Sequence, residues 1–138
     1  MDIRYPVLLE GQKEGGFFVR FLDFEDVFTE GETEEEALFN AIEVLSAMLA
    51  AKIEDGDAIP VPSKNIPGAM LVSPDAKTQA ALLVRFARGK QSMAELARAL
   101  QTSWPSAKRL EDPTHWPTLK GLERAASVLG KRLIIHFE

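Results

Sequence analysis

The first half of the chain alternates between short apolar segments and segments rich in glycine or acid. Short apolar segments with aromatic and β-branched residues, bounded by turn residues, predict strands. Three such segments lie at 3–9, 17–22 and 27–29. Three glycines within 11–16 suit a hairpin and the acidic segment 23–26 suits a turn, so the three strands are expected to form a meander.

A long amphipathic segment follows the third predicted strand. Its apolar residues recur at spacings of three and four, which predicts a helix with one buried stripe. The residues of that stripe are Leu38, Ala41, Ile42, Leu45, Leu49 and Ile53. Thr33 and Glu36 form a capping box in front of the helix, and the Asp55-Gly56 step is a suitable end.

A proline-rich segment, 55–74, separates this helix from the second half of the chain. Proline fixes φ and restricts the preceding residue, so the segment is expected to be extended. The apolar residues 69–72 within it predict a short strand that returns to the first sheet, and the hinge is expected near 73–75. Residues 1–74 are therefore predicted to form a small α+β domain, a meander packed on one helix with a returning strand.

The second half of the chain has helical periodicity, and caps and glycine stops divide it into four predicted helices. They cover about 77–88, 92–100, 103–110 and 117–130, with Pro117 opening the last helix. The apolar residues expected to face inward are Leu82, Leu83, Phe86, Met93, Leu96, Ala97, Leu100, Ala107, Leu110, Leu119, Leu122, Ala125, Ala126 and Leu129. The apolar segment 133–137 predicts a final strand.

The two middle helices have the layout of a repressor-type helix-turn-helix, in which two short helices are joined by about three residues. Gln101 stands where that family usually has glycine, and a non-glycine residue can adopt positive φ at an energetic cost. If the third helix enters the major groove, Arg109 can donate two hydrogen bonds to guanine, and Trp104 can stack, contact a thymine methyl group or fold back. The residues expected at DNA are Gln91, Ser92, Ser103, Trp104, Ser106, Lys108 and Arg109. The alternative is a polar helix face without a ligand.

Charge is divided unevenly between the halves. Residues 1–74 have five basic and 15 acidic side chains, a net charge of −10, whereas residues 75–138 have 11 basic and six acidic side chains, a net charge of +5. An acidic domain suits a basic protein partner, and a basic domain suits the phosphates of DNA. The boundary at 74 therefore separates two expected functional units, although composition also drifts along chains without functional meaning.

The composition disfavours an enzymatic function. Without cysteine there are no disulfides, no thiolate metal sites and no cysteine nucleophile. His115 and His136, the only histidines, complete no Ser/His/Asp set, and the acids at 23–26 resemble a solvated turn more than a metal site. No catalysis, no metal and no cofactor are expected.

The location expected from the sequence is the cytoplasm. No apolar segment is long enough to span a membrane, and residues 1–20 lack the apolar core of a secretory signal. The absence of cysteine is compatible with a reducing compartment.

The order of several short segments resembles the HicB family of antitoxins. They are Tyr5-Pro6-Val7, Gly15-Gly16-Phe17, Thr29-Glu30-Gly31-Glu32-Thr33 and Ile59-Pro60-Val61-Pro62-Ser63. The members with a C-terminal helix-turn-helix are the more similar subgroup, because they also have the late segment Leu129-Gly130-Lys131-Arg132-Leu133. The turn Asp23-Phe24-Glu25-Asp26 departs from the Asp-hydrophobic-Pro-Gly sequence that is common there.

This resemblance implies a partial ribonuclease H-like fold for the first domain, without the catalytic residues of that enzyme. It also implies binding of a small basic HicA toxin, an mRNA-cleaving ribonuclease whose active histidine is blocked in the complex, and repression of the operon by the second domain. The acids proposed for toxin contact are Asp23, Glu25, Asp26, Glu30 and Glu32, and a solvated rim is an equally good interpretation of them. Family members form dimers and often tetramers.

The final strand is the expected dimer contact. An apolar edge strand at a chain end is a liability unless it pairs, so Leu133, Ile134, Ile135 and Phe137 are predicted to pair with the same strand of a second copy. The alternative is packing within the chain.

Two other classes of function compete with the antitoxin. One is a stand-alone transcriptional regulator with an N-terminal ligand-sensing domain, and the other, less favoured, is a degenerate nuclease. An adjacent gene for a short basic protein would favour the antitoxin.

Overall fold

The computed structural model describes all residues, 1–138, and divides into two compact units, 1–75 and 76–138. The first unit contains β1 (Tyr5–Gly11), β2 (Phe17–Phe21), β3 (Phe28–Gly31), α1 (Glu34–Asp55) and β4 (Met70–Val72). The second contains α2 (Ala76–Arg88), α3 (Met93–Leu100), α4 (Trp104–Arg109) and α5 (Leu119–Val128). The predicted α+β architecture, with a returning strand and four later helices, is confirmed.

The four strands form one antiparallel sheet in the order β3-β2-β1-β4. Directly paired residues lie on the same face of a sheet, and the pairs Val7 with Phe21 and Tyr5 with Val72 place four buried side chains on one face. Helix α1 packs on this face, and together they form the core of the first unit.

The buried stripe of α1 differs from the predicted one. Its fully buried residues are Ala37, Ala41, Leu45 and Leu49, at a constant spacing of four. Ile42 is 39% exposed, and Leu38 and Ile53 are only partly buried, so the prediction for Ile42 is wrong. The small side chains of Ala37 and Ala41 allow the helix to lie close to the sheet. The larger side chains of Leu38 and Ile42 lie to the side of this contact.

The edge strand β3 is protected by α1. The Asn40 side chain donates a hydrogen bond of 2.9 Å to the Glu30 carbonyl oxygen. A Cβ atom on Gly31 would collide with the backbone of Ala37, so only glycine allows the first turn of α1 to lie so close to β3. Thr33 caps the helix by accepting a hydrogen bond of 3.1 Å from the Glu36 amide, as predicted.

The proline-rich segment is fixed to the sheet by two polar contacts. The Tyr5 hydroxyl donates to the Pro60 carbonyl at 2.7 Å, and burial, together with the nearby charge of Asp23, raises the pKa of Tyr5. Asp23 accepts hydrogen bonds from the Ser63 amide at 2.8 Å and from the Ser63 hydroxyl at 2.6 Å. The segment between α1 and β4 contains no helix, as expected, but Asn65 and Gly68 have positive φ and residues 67–68 form a turn, so it is not extended throughout. The two contacts anchor it to the sheet.

The second unit has its own apolar core. The core residues are Val84, Leu96, Ala97, Leu100, Ala107 and Ala125, with Met93, Leu110, Leu122 and Leu129 packed against them. Leu83 and Phe86 are only partly buried, and Leu119 is 65% exposed, so the prediction that Leu119 faces inward is wrong.

One helix boundary and one predicted strand in this unit also differ from the prediction. Helix α5 does not open at Pro117, because Thr118 is its N-cap and accepts a hydrogen bond of 2.9 Å from the Gly121 amide. No strand forms over 133–137. A strand requires a neighbour to share its backbone hydrogen bonds, and no strand of the second unit is available to pair with this segment.

We predict that Asp23→Ala lowers the free energy of unfolding by about 1–3 kcal/mol, because two hydrogen bonds from Ser63 lose their acceptor. Urea denaturation followed by circular dichroism measures this change. The control is Glu25→Ala in the same turn, whose exposed side chain should change stability by no more than about 0.5 kcal/mol. Equal effects of the two substitutions would contradict the anchoring role of Asp23.

Candidate nucleic-acid and protein interfaces

Helices α3 and α4 are joined by a turn of three residues, 101–103. Ser92 caps α3 by accepting from the Glu95 amide at 3.1 Å, and Ser103 caps α4 by accepting from the Ser106 amide at 3.2 Å. Gln101 ends α3 with φ 54° and ψ 45°, the left-handed conformation that a non-glycine residue adopts only at an energetic cost. The turn geometry that glycine usually supplies is therefore present with glutamine.

The short helix α4 turns one small residue inward and three large ones outward. Ala107 is fully buried, whereas Trp104 is 48% exposed and Lys108 and Arg109 are exposed. The Lys108 ammonium lies 4.9 Å from the centre of the Trp104 ring, a cation–π contact between residues one helical turn apart. The outer surface of α4 thus presents an indole in contact with the Lys108 cation, and Arg109 adds a second exposed cation.

The serines predicted at DNA serve first as caps. The Ser103 hydroxyl also donates a hydrogen bond of 2.9 Å to the Ser106 hydroxyl, which fixes both side chains at the start of α4. The backbone carbonyl of Gln91 accepts from Arg88 at 2.6 Å, and its side chain is exposed beside Ser92. Gln91 and Ser92 therefore lie just before α3, and Ser103 and Ser106 lie at the start of α4.

An ion pair that the sequence did not reveal fixes the position of α4. Arg88, the last residue of α2, donates to both carboxylate oxygens of Glu111, at 2.5 and 2.9 Å. The Glu111 side chain is only 8% exposed, and its hydrogen bond raises the pKa of Arg88. Because Glu111 lies two residues beyond the end of α4, this bidentate contact ties α2 to the segment that follows α4.

Two smaller contacts complete the framework of the second unit. Arg124 of α5 donates to the Leu100 carbonyl at the end of α3, at 2.6 Å. After α4, Asp112 accepts hydrogen bonds from the hydroxyl and amide of Thr114, and with His115 nearby these lower the pKa of its carboxyl. No periodic pattern in the sequence identifies the Arg124–Leu100 pair, because it depends on how α3 and α5 pack, whereas the Asp112–Thr114 contact is a local turn between residues two apart in the chain.

The five acids proposed for protein contact do not form one equivalent set. Asp23 is half-buried, and both of its oxygens accept hydrogen bonds from Ser63. Glu25 and Asp26 are exposed in the turn before β3, and Glu30 and Glu32 are exposed on and after β3. Four of the five carboxylates are therefore accessible to a partner, and Asp23 acts mainly in holding the fold.

The last residues of the chain expose apolar side chains. Ile134 and Ile135 are 66% and 61% exposed, and Phe137 is fully exposed, whereas Leu133 is partly buried. No helix is long and apolar enough to cross a membrane, and no group of three or more metal-binding side chains converges on one point.

The sequence of the first unit matches antitoxins of bacterial toxin–antitoxin systems. The family described as HicB_like antitoxin of bacterial toxin-antitoxin system matches residues 4–80, and the chain belongs to this family. Members of the family are regulatory proteins and not enzymes.

Full-length relatives extend the similarity beyond the matched segment. Antitoxin HicB 1 of Photorhabdus laumondii is 31% identical over 137 residues, covering 99% of this chain and 88% of the relative. Antitoxin HicB of Escherichia coli K12 is 32% identical over 133 residues, covering 95% and 96%. A solved toxin–antitoxin complex from Streptococcus pneumoniae contains a chain that is 20% identical, with a TM-score of 0.47 over 78% of this chain and 95% of that chain.

We predict that Gln101→Gly raises the free energy of unfolding of the second unit by about 0.5–1 kcal/mol, because glycine adopts φ 54° without the steric cost of a side chain. Thermal denaturation measures the gain. The matched control is Ala99→Gly, an exposed position inside α3, where the same new residue should cost about 1 kcal/mol. A loss at both positions would mean that the Gln101 side chain makes a stabilising contact that outweighs the backbone cost.

Proposed function

We propose that this antitoxin neutralises a HicA-type mRNA interferase through its first unit and represses its own operon by binding promoter DNA through its second unit. The observation that carries the proposal is the opposite charge of two separately packed units. Residues 1–75 have five basic and 16 acidic side chains, a net charge of −11, and residues 76–138 have 11 basic and five acidic ones, a net charge of +6. We also infer that the first unit is the partial ribonuclease H-like fold of the family.

The charge of the first unit suits a basic toxin that binds RNA. Opposite charges accelerate encounter, and a partner that covers the toxin also keeps mRNA from its active histidine. The accessible acids of the turn and of β3, Glu25, Asp26, Glu30 and Glu32, supply this attraction. Asp23 supports them indirectly by anchoring the same turn to Ser63.

The second unit is proposed to bind DNA with α3 and α4 as a helix-turn-helix. In that mode α4 enters the major groove, where Arg109 reads guanine and Lys108 reaches a base or phosphate. Gln91 and Ser92, at the start of α3, and Ser103 and Ser106, at the start of α4, would contact phosphates. The Arg88–Glu111 ion pair supports this mode, because it holds the end of α4 in place while the outer side chains remain exposed.

The segment 133–137 is proposed to pair with the same segment of a second copy. An antiparallel pair centred on Ile135 would cover the exposed isoleucines and place Arg132 opposite Glu138 of the second copy, a favourable cross-strand pair. Such a two-fold arrangement would set two copies of α4 about 34 Å apart, one turn of DNA. Dimers of this kind could assemble further into tetramers.

We predict that Arg109→Ala reduces the preference for promoter over unrelated DNA by a factor of about 10–100, because two hydrogen bonds to guanine are lost. Fluorescence anisotropy at fixed salt, with promoter and scrambled duplexes, measures the ratio. Arg109→Lys is the matched control. It keeps the charge and the binding to scrambled DNA, but it should lose most of the preference for the promoter, since lysine cannot donate two parallel hydrogen bonds to one guanine. An unchanged preference in both variants would remove Arg109 from base recognition.

We predict that the double substitution Glu30→Lys and Glu32→Lys slows association with the toxin at least several-fold at low salt, because it reverses charge at the accessible end of β3. Stopped-flow measurement at two salt concentrations checks this. The difference in association rate between the double variant and the unaltered chain should become smaller at the higher salt concentration. Glu54→Lys near the end of α1 makes a single reversal elsewhere on the unit and should have a smaller effect. If all variants associate equally fast, the contact lies on another surface.

We predict that a chain ending at Lys131 is monomeric and binds a palindromic operator much more weakly than the full chain, because the pairing segment is missing. Sedimentation velocity and anisotropy measure the two properties. Binding of a single half-site should persist, which separates loss of dimerisation from loss of folding. A truncated chain that stays dimeric with full affinity would rule out this role of 133–137.

A further inference from the structure

The face of the sheet opposite α1 carries a pair of aromatic rings. The rings of Phe18 on β2 and Phe28 on β3 have centres 5.4 Å apart and are inclined at 32°. Phe28 is 56% exposed, and Phe18 is partly buried. The core of the unit lies on the other face, so this aromatic pair contributes little to it and leaves apolar surface in contact with water.

The strand register places charged side chains around these rings. Phe18 is directly paired with Glu10 on β1 and with Glu30 on β3, so a carboxylate lies on each side of it. Arg20 is directly paired with Phe28 on the same face. Residues paired in this way have Cβ atoms roughly 5 Å apart, so the five side chains form one continuous patch.

The two phenylalanines and the arginine of this patch are residue types enriched at interface centres, and the two glutamates beside them are typical of a polar rim. Aromatic residues and arginine are enriched where protein interfaces are most deeply buried, and they provide most of the binding energy there. The faces of the rings and the two carboxylates also attract a lysine or arginine side chain from a partner. Glu30 belongs both to this patch and to the set of accessible acids that includes Glu25, Asp26 and Glu32. The acidic surface that attracts a cationic partner is therefore continuous with the aromatic surface that can retain it.

The charge of the unit selects between two possible occupants. A second copy of the same unit would bring another net charge of −11 to this face, which disfavours self-association. A small cationic protein meets an attractive potential instead. Helix α1 offers the competing surface, where Phe39 is 61% exposed between Glu35 and Glu43, but Phe39 has no ring partner there.

We propose that Glu10, Phe18, Arg20, Phe28 and Glu30 form the surface on which the cationic toxin is retained, with Phe28 as its anchor. This inference rests on the proposed function and adds to it a division of roles. The acids of the turn and of β3 govern how fast the toxin arrives, and the aromatic pair governs how long it stays bound.

The experiment uses the full chain and a catalytically inactive form of its proposed HicA-type toxin partner. Phe28→Thr removes the ring but retains a residue that favours strands, and it should raise the dissociation rate about 10–100-fold while the association rate changes little. Phe28→Lys adds a like charge and should weaken binding further. Phe39→Ala on α1 is the matched control for an equally exposed phenylalanine and should leave both rates unchanged. Surface plasmon resonance measures the rates, and circular dichroism confirms that each variant is folded.

The possible outcomes separate this inference from the proposed function. If the unaltered chain fails to bind the toxin, both are overturned. If it binds and the two Phe28 variants dissociate as slowly as the unaltered chain, only the aromatic anchor is overturned. A loss confined to Phe39→Ala would place the toxin on α1. A concentration-dependent dimer that Phe28→Lys abolishes in the absence of toxin would make the face an interface between copies and would also overturn the inference.

Discussion

In each unit, one carboxylate that accepts several hydrogen bonds holds the functional segments in place. Asp23 receives two hydrogen bonds from Ser63 and fixes the turn before β3, and Glu111 receives two from Arg88 and fixes the segment after α4. A buried or half-buried carboxylate is costly unless its oxygens are satisfied, and here every oxygen has a donor. Both contacts join residues far apart in the chain, so they form only when the unit has folded.

The charge that remains accessible after these contacts still differs in sign between the units. Leaving Asp23 out changes the net charge of the first unit little, because 15 other acids remain. In the second unit, the Arg88–Glu111 pair removes one charge of each sign and so leaves the net charge unchanged. Exposed like charges repel within a unit and add nothing to its stability. The acidic side chains are concentrated on one unit and the basic side chains on the other. This separation is expected if each unit binds a partner of opposite charge.

Most elements could be predicted from the sequence because their signals are local. Thr33, Ser92 and Ser103 act as helix caps, each at the start of a helix that the sequence predicted. Gln101 was a departure from the usual glycine, and only the structure shows that it adopts the left-handed conformation. Ile42 was misassigned because spacing alone does not say which of two adjacent apolar stripes will meet the sheet. The stripe that meets the sheet contains Ala37 and Ala41, two small residues that periodicity does not favour over the larger Leu38 and Ile42.

The candidate surfaces were less predictable than the fold. The sequence identified acids at 23–32 but could not separate Asp23, whose hydrogen-bond partner lies 40 residues away, from Glu30, which is exposed. The Arg88–Glu111 pair could not be predicted from the sequence either. In the sequence both residues resemble ordinary surface charges, and only the packing of α2 against the end of α4 brings them together. The predicted strand at 133–137 required a neighbour that the chain alone does not supply.

The proposals assign one exposed apolar surface of each unit to a partner, and charge distinguishes the partners that the two surfaces can accept. The aromatic pair of the first unit lies on a strongly acidic surface, so two copies that approach through it repel one another and a cationic protein does not. The terminal segment of the second unit begins with Lys131 and Arg132 and ends with Glu138, so its ends carry opposite charges. An antiparallel pair of such segments brings unlike ends together, whereas a parallel pair brings like ends together. In the proposed arrangement, the same apolar character therefore serves association with a different protein in one unit and association with an identical copy in the other.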